Sequence, residues 1–201
     1  FRVLKMLGID LRDNRLELWP SKDDEEYVDN LLSGEWLSAD QKIIGININA
    51  SKRWLTKCWP KGHIVKLCDE LGLRNIRVVV TGTEADAPEA VALVAKVKNT
   101  KIINACAKTT VNQLSCLIKR CSLYISADSS PLHIAAAVNV PVIAFFGPTD
   151  PARHMPPARK YTIIRRDLPC SPCYKPKCRH KKCMDMITVD EVLDAIDKMI
   201  K

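Results

Sequence analysis

Residues 128–133, Asp-Ser-Ser-Pro-Leu-His, contain polar side chains that can bind a phosphate group. They follow an apolar run and precede an alanine-rich helix. Ser129 or Ser130 can cap that helix, and Pro131 suits its first position. Amides and hydroxyls at a helix start bind anions, so this stretch predicts a phosphate site. His133 lies in the same first turn, and the alternative for it is a core histidine with satisfied hydrogen bonds.

Cations stand out in a second polar stretch, residues 49–60. It contains Ser51, Lys52, Arg53 and Lys57 together with two tryptophans, and it ends at a helix start. Lysine and arginine at a helix start next to a strand end suit a phosphate group. The alternative is a surface loop that packs one tryptophan on the sheet edge.

Two further stretches carry weaker signals. Residues 81–86 contain Gly82, which permits a tight turn, and Asp86, which can accept hydrogen bonds from ribose hydroxyls as acids do in dinucleotide folds. The alternative is that Asp86 complements the dipole of the next helix. Residues 106–110 offer backbone amides and Lys108 at a capped helix start.

A scaffold that brings these stretches to one edge is predicted by the hydrophobic pattern. From residue 43 on, apolar runs and amphipathic helices alternate four times with short connections. The pattern is typical of an α/β, Rossmann-like parallel sheet with helices on both faces. Ligands of such sheets bind beyond the carboxyl ends of the strands, where we expect a cleft for a nucleotide diphosphate.

The predicted elements divide the chain in two. Residues 1–42 are interpreted as a connecting segment with short strands over 3–7 and 16–19 and a helix over 23–32, and 43–201 as one nucleotide-sugar-binding domain. The domain strands are predicted over 43–48, 76–80, 101–105, 123–126, 142–146 and 161–164, and its helices over 63–71, 88–98, 111–120, 131–138 and 189–200. Because the chain starts at Phe1 in mid-pattern, we expect it to be a piece of a longer protein.

Composition excludes several classes of protein. The 201 residues are 47% hydrophobic and 27% charged, which excludes a wholly disordered chain, and 5% aromatic residues are few for a base-stacking nucleic-acid platform. The most apolar stretch, 134–146, is too short for a membrane span. The chain starts without a signal-peptide pattern, so we expect a reducing, cytoplasmic compartment.

Positive charge is concentrated in residues 153–183, here called the basic segment. Ten lysines and arginines face one acid there, which makes the segment +9 in a chain of net charge +8. Such a segment predicts an anionic partner: a phosphate, an acidic sugar, a lipid head group or a nucleic acid. The alternative is a solvated basic loop.

Four of the nine cysteines lie in the basic segment, with the spacing Cys-x2-Cys-x4-Cys-x4-Cys. Four thiolates at this spacing can bind a structural Zn²⁺, and disulfides or free thiols are the alternatives. The residues concerned are Cys170, Cys173, Cys178 and Cys183.

The run over residues 128–151 closely resembles glycosyltransferase family 9, the ADP-heptose:lipopolysaccharide heptosyltransferases. It reads Asp-Ser-Ser-Pro-Leu-His-Ile-Ala-Ala-Ala and then, after two residues, Val-Pro-Val-Ile-Ala-Phe-Phe-Gly-Pro-Thr-Asp-Pro. The sequence Lys-Cys-Trp-Pro at 57–60 resembles a Lys-Arg-Trp-Pro-like segment of that family. The pairs at 81–82 and 108–109 fall where the family has its nucleotide loops.

This resemblance implies one half of a GT-B glycosyltransferase, the C-terminal, donor-binding half, with the acceptor surface and the base in a missing N-terminal half. It implies an inverting, metal-independent transfer of heptose from ADP-heptose to the inner core of lipopolysaccharide, with no required cofactor and no activity of this chain alone. The implied partners are the ADP-sugar donor, the lipopolysaccharide core acceptor and the N-terminal half, and nucleic acid is not among them. The enzyme would be cytoplasmic and, through the basic segment, peripheral at the inner face of the inner membrane.

The resemblance also assigns roles by position. By position, Lys57 would be the catalytic residue that contacts the donor phosphate. Lys52 starts a similar Lys-x-Trp pattern, but only the pattern at Lys57 is followed by the proline of the family segment, Pro60. Ser130 stands where the family usually has glycine, so its side chain would either crowd a phosphate or donate to it. The donor-binding residues are Ser51, Lys52, Asp86 (ribose), Lys108 and Thr109 (adenine), Asp128, Ser129 and Ser130 (diphosphate), and His133 (support of that loop).

A second hypothesis belongs to another class: a non-enzymatic zinc and basic-tail module that binds nucleic acid or an anionic surface. It explains the charge of the basic segment but not the polar stretches at the strand ends.

Overall fold

Six parallel strands form one sheet in the computed structural model, which describes residues 2–9, 13, 15–35 and 41–200. The order across the sheet is β3-β2-β1-β4-β5-β6, so the predicted α/β architecture is confirmed. The strands are β1 (Ile43–Asn47), β2 (Arg77–Thr81), β3 (Ile102–Asn104), β4 (Leu123–Ala127), β5 (Val142–Phe146) and β6 (Tyr161–Arg165).

Helices cover the sheet and extend before it. They are α1 (Arg2–Met6), α2 (Lys22–Ser33), α3 (Lys61–Leu73), α4 (Ala87–Val94), α5 (Val111–Lys119), α6 (Ser130–Ala137), α7 (Pro151–His154), α8 (Lys182–Asp185) and α9 (Val189–Met199). Two 3₁₀ helices, Lys52–Lys57 and Glu84–Asp86, lie in the connections after β1 and β2. Among the described residues, none of these helices has both the length and the apolar character of a membrane span.

The sheet is buried on both faces, which is why its strands read as continuous apolar runs. β4 and β5 are buried at every position. One apolar layer packs Leu67 and Leu193 against the face that carries Ile46. The other packs Leu117 and Ala135, from α5 and α6, against the opposite face.

Helix α2 lies in the segment interpreted as a connection, yet it packs into the domain. Ser21 and Asp24 form a capping box at its start, as acid-rich first turns favour. Val28 and Leu32 are buried in the α5–α6 layer, and Asp29 pairs with Arg120 at 2.5 Å. The helix predicted over 23–32 is therefore confirmed. It packs against the domain instead of only connecting to it.

Both strands predicted before residue 20 are wrong. Residues 2–6 form α1, and residues 16–19 have no regular secondary structure. A strand requires a hydrogen-bonded neighbour, and all six strands of the sheet come from residues 43–165.

Candidate functional site

The strand order reverses between β1 and β4, and a cleft of about 680 Å³ lies at the carboxyl ends of the strands there. Ligands of doubly wound sheets bind at this switch point. The polar stretches after β1, β2, β3 and β4 all contribute to the cleft, as predicted. Of the residues predicted to bind the donor, the lining contains Ser51, Lys52, Asp86, Thr109, Ser129 and Ser130.

Helix α6 begins at the wall of this cleft. Ser129 occupies the N-cap position, but its hydroxyl lies 3.0 Å from the Ser126 hydroxyl and donates to the Ala127 carbonyl rather than capping the amides of α6. The Asn47 side chain donates to the same hydroxyl at 3.2 Å. The positive end of an eight-residue helix therefore faces the cleft with Ser130 at its first position.

Lys57 and Asp128 contact each other instead of lining the cleft. The Lys57 Nζ lies 2.8 Å from Asp128 Oδ2 and 3.3 Å from the Asp128 carbonyl oxygen. Both side chains are largely buried, at 15% and 7% exposure, and Nζ lies 4.9 Å from the centre of the Trp54 ring. An ammonium has three donors, so one remains for a ligand beside this pair.

Asp86 is buried in the wall formed by the loop after β2. Its Oδ2 accepts from the Thr83 amide at 2.8 Å and the Thr83 hydroxyl at 2.7 Å, and its Oδ1 accepts from Asn49 Nδ2 at 2.8 Å. Burial opposes ionisation, but the hydrogen bonds from Thr83 and Asn49 and the charge of Lys61 outweigh it and lower the pKa of Asp86. A carboxylate lines this part of the cleft.

Lys108 and His133 lie outside the cleft lining. The Lys108 side chain is exposed, while its carbonyl accepts a 2.6 Å hydrogen bond from the Tyr27 hydroxyl of α2. Ala107 adopts φ 61°, so the backbone of this loop turns sharply beside the cleft. His133 is exposed on α6 and is not a core histidine.

The sequence model of glycosyltransferase family 9 (heptosyltransferase) matches residues 3–184. The chain belongs to this family. It is 35% identical to lipopolysaccharide heptosyltransferase 3 of Escherichia coli (strain K12) over 158 residues, which are 76% of this chain and 45% of that protein. It is 29% identical to lipooligosaccharide heptosyltransferase 2 of Campylobacter jejuni over 169 residues, or 81% of this chain and 53% of that protein.

A solved heptosyltransferase structure has a similar fold. The E. coli ADP-heptose lps heptosyltransferase II superposes with a TM-score of 0.75 at 24% identity, over 92% of this chain and 53% of that chain. At this identity the likeness shows the fold, and it confirms the predicted Rossmann-like half of a GT-B protein. The chain spans about half the length of the curated relatives that it matches.

In this family 9 chain, sequence reasoning missed three side chains near the cleft. Asn47 ends β1 and Asn49 follows it, and both line the cleft. Lys61, the first residue of α3, donates to Asn49 and to the carbonyl of Ile48. The sequence feature that could have indicated Asn47 and Asn49 is the pair of asparagines at a strand end, because side-chain amides there can form hydrogen bonds with neighbouring loops.

The second half of the basic segment is attached to the loop after β5. The amides of Cys173 and Tyr174 donate to the Pro148 carbonyl at 3.0 and 2.8 Å. The buried Thr56 hydroxyl, next to Lys57, donates to the Lys175 carbonyl at 2.8 Å. These bonds place the segment at the same edge of the sheet as the cleft.

The four clustered thiols of the basic segment are free. The pKa of Cys183 is raised mainly by burial of its thiol. The negative charges of the other three thiolates, Cys173, Cys178 and Cys170, raise it further. Within the residues that the structure describes, no three His, Cys, Asp or Glu side chains form a group that could hold a metal ion. The zinc site and the disulfides stay predictions.

Proposed function

We propose that this chain is the C-terminal, donor-binding half of a heptosyltransferase that transfers heptose from ADP-heptose to the inner core of lipopolysaccharide. The observation that carries the proposal is the cleft at the switch point, which is lined by the start of α6, by the cation Lys52 and by the buried carboxylate of Asp86. The names of the relatives support the sugar and the acceptor, and the solved E. coli protein is an ADP-heptose enzyme by name.

The two sides of the cleft suit the two ends of an ADP group. Ser129, Ser130 and Lys52 would meet the diphosphate, since amides at a helix start and ammonium groups attract anions. Asp86 would accept from a ribose hydroxyl. Thr109, which lies in the loop after β3 and lines the cleft, would contact the adenine.

The chemistry of the transfer explains these groups. An acceptor hydroxyl attacks the anomeric carbon from the face opposite the diphosphate, which inverts the configuration, and the departing ADP gains negative charge. We propose that Lys57 and the start of α6 stabilise this charge without a metal ion or other cofactor. The base and the acceptor surface belong to the N-terminal half, so we expect this chain alone to bind nucleotide without transferring sugar.

Nucleotide binding tests the proposal directly. A ligand at 100 times its Kd stabilises the folded state by about 2.7 kcal/mol. In a chain of this size that raises Tm by about 5–10 °C. We expect ADP to produce this shift and UDP and GDP to produce less; equal shifts would refute the adenine assignment, and no shift with any diphosphate would refute the donor site.

We further propose that the basic segment holds the protein at the inner face of the inner membrane. Seven of its cations are exposed and make no ion pair with any described residue, and four of the seven lie within residues 175–182: Lys175, Lys177, Arg179 and Lys182. Arg165 and Arg166 are less available, because they pair with Asp167 and Glu191. Each lysine or arginine near an anionic bilayer contributes about 1 kcal/mol.

Vesicle binding of the full-length protein tests this surface with a charge-matched control. Reversal of Lys175, Lys177, Arg179 and Lys182 to glutamate should lower partitioning onto phosphatidylglycerol vesicles at least about a hundredfold at low salt. The control reverses four exposed lysines at the ends of α4, α5 and α9 and at the start of β3, on the opposite edge of the sheet: Lys96, Lys101, Lys119 and Lys198. Equal partitioning of the two variants would show that net charge, not this surface, is responsible.

A further inference from the structure

A partly buried lysine at the start of α3 has a structural role that its sequence position does not reveal. The Lys61 side chain is 29% exposed, and its Nζ donates to the Ile48 carbonyl and to Asn49 Oδ1. The same Nζ lies 3.5 Å from Glu89 Oε2 of α4. All three donors of the ammonium group therefore have partners, two on the loop after β1 and one on α4.

Lys61 decides which way the Asn49 amide faces. An ammonium group requires an acceptor, so it holds the Asn49 oxygen on its own side. The amide nitrogen then points to two carboxylates, Asp86 Oδ1 at 2.8 Å and Glu89 Oε2 at 2.6 Å. Reversal of the amide would place its nitrogen against the ammonium and its oxygen against the two carboxylates, which is unfavourable at both ends.

This chain of contacts joins the loop after β1 to the loop after β2 across the floor of the cleft. Asn49 and Asp86 both line the cleft, whereas Lys61 lies behind them. Without the ammonium, two carboxylates would share one amide, and their mutual repulsion would push the loops apart. The pKa of Lys61 is lowered, because the effect of burial is larger than the opposing effect of the negative charges of Glu89 and Asp86.

Asp86 has capacity left for a ligand in this arrangement. A carboxylate has about four acceptor positions. Thr83 occupies two of them and Asn49 one. The remaining position on Oδ1 depends on where Asn49 is held.

We propose that Lys61 is a positioning residue for the nucleoside of the donor. It acts through Asn49, which it orients so that Asp86 presents one free acceptor position to a ribose hydroxyl. The inference rests on the proposed donor site and adds the residue that sets its nucleoside side. On the diphosphate side, the Asn47 side chain donates to the Ser129 hydroxyl and to the backbone carbonyl of Asn49. Among the described residues, neither Lys52 nor Ser129 forms a hydrogen bond with the side chains of this network.

Two ligands separate this role from a general effect on folding. ADP engages both sides of the cleft, and inorganic pyrophosphate engages only the diphosphate side. In Lys61→Met we expect the Kd for ADP to rise about tenfold, the usual effect of losing a hydrogen bond to a charged group, and the Kd for pyrophosphate to stay within about twofold. Titration calorimetry measures both constants, and thermal unfolding verifies that each variant is folded.

Variants of the same helix complete the design. Lys61→Arg keeps the charge and the donors and should retain most of the ADP affinity. Lys66→Met removes an exposed lysine of α3, 3.9 Å from Asp190, and should change neither constant. If Lys61→Met does not fold, Lys61→Gln, which keeps one donor group, replaces it.

The outcomes distinguish a failure of the proposed donor site from a failure of the role of Lys61. Failure of the unsubstituted chain to bind ADP and pyrophosphate would refute the proposed function. Binding of both ligands with an unchanged ADP constant in Lys61→Met, or with equal losses for ADP and pyrophosphate, would refute the role of Lys61 alone.

Discussion

Replacement of Lys57 by alanine should reduce both stability and turnover, for reasons that can be separated. The ion pair with Asp128 is 2.8 Å long, and the Asp128 side chain is 7% exposed, so Lys57→Ala leaves a buried carboxylate without its charged partner. Breaking a buried pair from one side costs about 3–5 kcal/mol. The partial exposure of Lys57 places the loss near 3 kcal/mol, or a fall in Tm of about 6–12 °C.

The second substitution, Asp128→Asn, removes the unpaired charge that the first one leaves. We expect the double variant Lys57→Ala/Asp128→Asn to recover at least about half of the lost stability, because a neutral amide is much cheaper to bury than a carboxylate. Turnover should not recover. A positioned cation at a developing oxyanion contributes about 2.7 kcal/mol or more, which is a hundredfold in rate.

The assay combines calorimetry of this chain with sugar transfer by the protein that also contains the N-terminal half. The exposed Lys52 is the control for stability, and Lys52→Ala should leave Tm unchanged. Recovery of turnover in the double variant would show that Lys57 acts through folding rather than through the donor. A normal rate in a folded Lys57→Ala would move the phosphate contact to Lys52 or Arg53.

Two further predictions concern the parts that hold the site in place. A Cβ at Gly147 would lie 2.6 Å from the Met184 sulfur, so Gly147→Ala should lower the free energy of unfolding by about 1–3 kcal/mol. A Cβ at Gly62 in α3 would meet nothing within 4 Å, so Gly62→Ala should raise the free energy of unfolding by about 0.5–1 kcal/mol. The hydrogen bond from Arg166 lowers the pKa of Glu191 below its ordinary 4.5, so its contribution is complete above that pH and is lost as the pH falls through the lower value of the folded state. Glu191→Gln should therefore flatten the acid side of a stability profile measured by denaturant unfolding between about pH 3 and about pH 6, and an unchanged slope would contradict the assignment.

Local sequence signals predicted most of the domain correctly. The apolar run over 142–146 is β5, and the capped helix start expected at residue 110 forms as a capping box at the start of α5. The helix predicted over 189–200 also forms, as α9, with a capping box at Thr188. These features depend on residues within a few positions of each other, so the local sequence contains the information that decides them.

Where a distant residue intervenes, the same signals fail. The helix predicted over 88–98 ends at Val94, because the amides of Lys98 and Asn99 donate to the Asp69 carboxylate of α3 at 2.7 and 2.8 Å. The helical pattern of residues 88–98 cannot predict a hydrogen-bond acceptor that lies about thirty positions earlier in the sequence.

By itself, the sequence of this protein determined the alternation of strands and helices, the polar stretches at the strand ends and the resemblance to family 9. Only the tertiary structure decided that Lys57 pairs with Asp128, 71 positions away, and that Asn49 joins Lys61 to Asp86. The reason is physical: secondary structure follows from short-range periodicity and capping, whereas ion pairs and amide orientations depend on which strands become neighbours. The order β3-β2-β1-β4-β5-β6 places the ends of β1 and β4 side by side, and this juxtaposition creates the site.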